Sequence, residues 1–148
     1  MSARTRSTVL ALTVVAAALV GAQDASAARA YNFTKARIKV QSYLESEVEI
    51  NAGQRSESLN WSNAILVFHP NGASTKPVCH FGHTEASGIT FAGGNWLKGG
   101  NYLLVVQHET KVSCTICDAG RKIIAQKSGW VKKGFEYTTP KRPDHGCE

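Results

Sequence analysis

The residues of this chain able to do chemistry are four cysteines, five histidines and a run of cations mixed with aromatic rings. Cys79-His80-x-x-His83 and Cys114-x-x-Cys117 together offer five soft ligands, the raw material of a zinc site. The His spacing is shorter than the usual finger pattern, and the same cysteines have a competing chemistry. Cys79, Cys114, Cys117 and Cys147 are even in number, as expected of two disulfides in an oxidising compartment. Which reading holds depends on where the chain resides.

The amino end predicts export. Arg4 and Arg6 precede an apolar run from Val9 to Ala22, followed by Ala25-Ser26-Ala27, the layout of a secretory signal peptide with cleavage before Ala28. The run is shorter than the roughly 20 residues of a membrane span. Residues 1–27 are therefore expected to be a signal peptide and 28–148 a single secreted domain. Outside the cell no reducing pool keeps a Cys-x-x-Cys free, so disulfides are favoured over zinc, and no metal or cofactor is expected. Four cysteines allow three pairings. Alternation puts Val112, Cys114 and Ile116 on one face and Cys117 beyond the parity change, which favours Cys79 with Cys114 across the core and Cys117 with Cys147 in the tail.

A secreted basic chain with histidines invites comparison with small extracellular ribonucleases, whose chemistry needs a base, an acid and a cation. Glu109, Arg121 and His145, with His80 or His83, supply those types, but no spacing brings them into one cleft. His108 and Glu109, as neighbours in a strand, point to opposite faces, and His69 before Pro70 reads as an exposed turn residue. Gly-x-Ser-x-Gly, His-Glu-x-x-His, a phosphate-binding glycine loop and an Asp-rich calcium loop are all absent. A non-enzymatic binding protein is the preferred reading, and a ribonuclease-type hydrolase the alternative.

The charge is localised. The net +6 is concentrated in the last third, where eight basic residues stand against two acidic ones between Lys111 and Arg142. There Trp130, Lys132, Lys133, Phe135, Tyr137, Lys141 and Arg142 interleave rings and cations, a mixture suited to an anionic polysaccharide, a membrane surface or an extracellular protein, and less to nucleic acid. As one strand from Trp130 to Tyr137, these residues would divide between two faces. The competing reading is an edge strand whose lysines prevent edge-to-edge pairing.

The elements that must position these groups read as strands. With 43% apolar and 19% charged residues the chain fits one ordinary globular domain. From Ala36 to Ile50 apolar residues fall mostly on even positions, the strand period; a fold-back near Tyr43 sets Arg37 and Lys39 against Glu49 and Glu47. Ala64–Phe68 (AILVF) and Tyr102–Val106 (YLLVV) are apolar on both parities, as in central strands buried on both sides. Further strands are expected at Val78–Phe81, Ile89–Phe91, Val112–Cys117, Lys122–Gln126 and Trp130–Tyr137, with Asp118-Ala119-Gly120 as a hairpin loop. Many short strands with turns between them predict an all-β fold, an antiparallel β-sandwich, immunoglobulin-like or barrel-like, linked by disulfides.

The stretch Trp96 to Val105 (WLKGGNYLLV) resembles the tyrosine corner of immunoglobulin-like domains, which implies that Tyr102 is buried and bonds back to the turn before its strand. Leu104 stands where the antibody pattern has Cys. Two Asn sequons, at Asn32 and Asn60, complete the motifs.

Overall fold

The computed structural model describes residues 28–42, 46–72, 76–84, 90–91, 95–139 and 147. The expected signal peptide, together with Lys141, Arg142 and His145, lies outside them. The fold is a disulfide-linked β-sandwich with no helix among the described residues. Its strands are β1 (Arg29–Phe33), β2 (Ile38–Ser42), β3 (Glu47–Ile50), β4 (Ile65–Phe68), β5 (Cys79–Phe81), β6 (His83–Thr84), β7 (Thr90–Phe91), β8 (Tyr102–Glu109), β9 (Lys111–Cys117), β10 (Ile123–Trp130) and β11 (Tyr137–Thr138).

One sheet has the order β1-β8-β9-β10 with β11 also on β8; the other has the order β3-β2-β4-β5, and β6 and β7 form a separate ribbon. All ladders are antiparallel except β1 with β8, which runs parallel from Arg29 opposite Tyr102 to Phe33 opposite Val106. The sequence reading contained no strand at β1.

Alternation explains the core. Leu103 and Val105 of β8 and Val112, Cys114 and Ile116 of β9 pack against Ile38, Val40, Ile65, Val67 and Phe81 of the facing sheet. The β2–β3 hairpin is as expected, closed by the Ser42 amide donating to the Ser46 carbonyl at 2.9 Å. Arg37 pairs with Glu49 at 3.2 Å and Lys39 with Glu47 at 3.7 Å. Both apolar runs are interior strands, but only β8 is buried on both faces. In β4, Ile65 and Val67 are buried while Leu66 and Phe68 are half-exposed on the outer face of that sheet, where Lys39 Nζ lies 4.9 Å from the Phe68 ring centre.

On its outer face β8 has a second cluster. Leu104 and Val106 are covered by Tyr31, Phe33, Tyr102 and the Cys117–Cys147 disulfide. Tyr102 is half-buried, not fully buried, and its hydroxyl donates 2.8 Å to the carbonyl of Cys147. It therefore fastens the carboxyl-terminal segment rather than the turn before its own strand, which corrects the tyrosine-corner expectation. Both disulfides have the expected partners: Cys79–Cys114 crosses between the sheets, with Cα atoms 6.3 Å apart, and Cys117–Cys147 ties the end of β9 to the tail. With every cysteine sulfur bonded, the zinc alternative loses its thiolates.

The sequon residue Asn32 is a buried hub of this scaffold. Its Nδ2 donates to the carbonyls of Ala36 (2.7 Å) and Ile50 (2.9 Å), and its Oδ1 accepts from the amide and hydroxyl of Thr34. Every polar atom of the side chain is in use, joining β1 to the β2–β3 hairpin.

Candidate functional site

The cationic and aromatic region does not form the strand expected from Trp130 to Tyr137. Trp130 is the last residue of β10, residues 131–136 form a turn, and Tyr137 opens β11. The cause lies at Gly134, whose φ of 100° suits glycine and bends the chain where alternation would have continued. The turn is tightly held. Val131 is buried and bridges to Gly72, the Lys132 amide donates 2.8 Å to the Asn71 carbonyl, and the Glu136 carboxylate accepts from the Gly134 amide at 2.9 Å. From beneath, the buried Gln107 side chain donates to the carbonyls of Phe135 (2.7 Å) and Glu109 (2.9 Å). A buried amide thus fixes the backbone from which Phe135 projects.

Trp130 is 61% exposed and Phe135 48% exposed, with Lys132 and Lys133 exposed between them and Tyr137 half-buried. The structure therefore brings five of the seven expected residues together; Lys141 and Arg142 belong to the undescribed positions. Two residues missed from sequence join them on β10. Ile123 is 50% exposed and Ile124 47% exposed, although Lys122–Gln126 read as an ordinary strand. The ladder with β9 is irregular between Ile123 and Ala125, which takes Ile124 out of the pairing. The signal available in sequence was the adjacent isoleucines between Lys122 and Lys127, apolar on both parities yet flanked by charge.

These four are the large hydrophobic residues that stand exposed among the described positions, and all belong to β10 and its following turn. Arg121, Lys122, Lys127, Lys132 and Lys133 are exposed along the same stretch. From Ile123 to Trp130 the edge extends about 23 Å at strand rise. It is also rigid, because the backbone of Gly129 lies directly against that of Val78 beside β5. The free edges of the two sheets meet there and close that side of the sandwich.

Behind the turn lies a cleft of about 270 Å³ lined by Lys35, Ala36, His69, Asn71, Gln107, Gly134, Phe135 and Glu136. A neighbouring cleft of about 340 Å³ runs over Arg37, Lys39, Glu49 and Phe68, and His69 lines both. His69 is 8% exposed, which corrects its reading as an exposed turn residue. Its Nδ1 accepts from the Asn71 amide at 3.1 Å, so the neutral ring carries its proton on Nε2. That Nε2–H is enclosed and has no hydrogen-bond partner among the described residues. Burial holds the imidazole pKa below its ordinary value of 6.5.

The residues considered for acid–base catalysis do not converge among the described positions. Glu109 ends β8 at the β8–β9 hairpin, whereas Arg121 follows the opposite end of β9. That strand separates them by about 20 Å. His80 lies on β5 in the facing sheet. Comparison with protein-family models, with curated proteins and with solved structures gives no match to the chain.

Proposed function

We propose that this protein is a secreted, non-enzymatic binding protein whose working surface is β10 and the turn after it, and whose target is an anionic membrane surface. The observation that carries this reading is the concentration of Ile123, Ile124, Trp130 and Phe135 with five exposed cations along one rigid edge. A surface of this kind satisfies both parts of a lipid interface: cations meet anionic headgroups, and indole and phenyl rings rest at the boundary between headgroup and acyl chain. Adjacent exposed isoleucines favour lipid over polysaccharide, which has no apolar layer to receive them. Two disulfides suit an extracellular setting.

The test is binding to vesicles containing anionic lipid across a salt series. Retention is expected to fall as salt rises, because exposed charges are screened. The double change Lys132→Glu, Lys133→Glu is expected to abolish most of it while leaving the unfolding midpoint nearly unchanged, since exposed charges contribute little to stability. Trp130 emission should shift to the blue on binding, as Trp61 is already buried and Trp96 is half-buried against the core. Equal retention of variant and wild type would return these lysines to the edge-protecting role. Binding to a heparin column that survives Ile124→Ser, with no binding to vesicles, would move the target to a polysaccharide.

A further inference from the structure

The cleft behind the turn has chemistry that the outward-facing edge does not use. We infer that it is a binding site for a small zwitterion carrying an oxyanion at one end and a methylated ammonium at the other, the phosphocholine type of group. This goes beyond the docking edge and stands largely on other residues.

The oxyanion end would be received by Lys35 and His69. Lys35 supplies an ammonium, and His69 also lines the cleft, its buried Nε2–H without an acceptor among the described residues. A buried donor without a partner is unfavourable, and a ligand oxygen would satisfy it. The ring is held in the required tautomer by the Asn71 amide on Nδ1, so it donates while neutral.

The cationic end would be received by the 134–136 segment. The Glu136 carboxylate lines the cleft and is fixed through the Gly134 amide. Phe135, half-exposed and anchored through the Gln107 bond to its carbonyl, offers a ring to a methylated ammonium by cation–π attraction. A simple anion would meet Glu136 unfavourably and a simple cation would meet Lys35 unfavourably, so a ligand with both charges fits this lining best. The cleft, of about 270 Å³, lies at the small end of ligand pockets and suits a molecule of headgroup size.

The experiment is calorimetric titration of the exported protein with phosphocholine, choline chloride and inorganic phosphate. Phosphocholine is expected to bind more tightly than either half. Glu136→Gln and Lys35→Ala, both at exposed positions, should each weaken it by about tenfold with unchanged unfolding midpoints, as for loss of a desolvated charge contact. Lys132→Glu, Lys133→Glu should leave phosphocholine binding intact even where it removes retention on anionic vesicles, so the two readings fail separately. Binding of soluble phosphocholine together with phosphatidylcholine vesicles would assign the ligand to a lipid headgroup; binding of the soluble form alone would assign it to a free solute. Absence of binding at about 10 mM phosphocholine, a concentration that would reveal even a millimolar site, or equal binding by wild type and both variants, overturns the inference.

Discussion

At the scale of single residues, two positions connect local geometry to measurable behaviour. Burial makes the charged form of His69 costly, so the unfolded chain takes up the proton more readily than the folded one. The stability from a neutral His69 is therefore complete above about 6.5 and is lost progressively as pH falls towards its depressed folded pKa. The denaturation midpoint of wild type is expected to decline through that acidic range. His69→Gln, which keeps an acceptor for the Asn71 amide, should flatten the decline; parallel profiles would show that His69 is not responsible. Gly129 is constrained by shape instead of charge. An added Cβ would overlap the Val78 carbonyl oxygen and lie 2.8 Å from its carbon, and both are backbone atoms. Gly129→Ala should cost about 1–3 kcal/mol by overpacking, measured by urea titration, whereas alanine at the exposed neighbour Ser128 should stay within about 0.5 kcal/mol. An unchanged midpoint for Gly129→Ala would mean the β5–β10 seam is looser than described.

At the scale of elements, Leu104 tests the two-faced burial of β8. It is 2% exposed beneath Tyr31, Phe33 and Tyr102, and Leu104→Ala should cost about 2–5 kcal/mol through lost burial and a cavity. A variant unfolding at the wild-type denaturant concentration would remove the outer cluster from the stabilising core. The strand pattern here was legible because YLLVV is apolar on both parities, and the hairpin from Ile38 to Ile50 was legible from alternation and opposite charge. The parallel strand β1 was not. Arg29–Phe33 alternates only weakly, and its inward positions are Ala30 and Asn32, the latter buried through hydrogen bonds rather than apolarity. The Trp130–Tyr137 region failed for a different reason: alternation was followed across Gly134, whose backbone geometry ends it.

At the scale of the whole molecule, the disulfides decide how the layers are held. Intact mass should show no alkylation without reductant and four added groups after reduction and unfolding. Removing the Cys117–Cys147 bond by paired alanine substitution should cost about 2–4 kcal/mol, seen as a lower denaturant midpoint. Two groups added to the unreduced protein would contradict one bond, and four would contradict both. The pairing was legible because Cys114 and Cys117 have opposite parity on one strand. The candidate surface was legible as composition, and its geometry was not: which cations share an edge depends on a turn and an irregular ladder that no periodicity encodes, and His69 acquired its buried place from contacts far away in sequence. The parallel ladder of β1 with β8 has a temporal consequence. The ribosome makes Arg29–Phe33 before almost every other described residue; residues 53–59, which bond one edge of it, follow soon after, but its ladder partner at Tyr102–Val106 comes much later, so the nascent chain holds one open edge of this strand through most of its synthesis. Closing that edge is non-local and slow by nature, whereas the β2–β3 hairpin needs only its own neighbours.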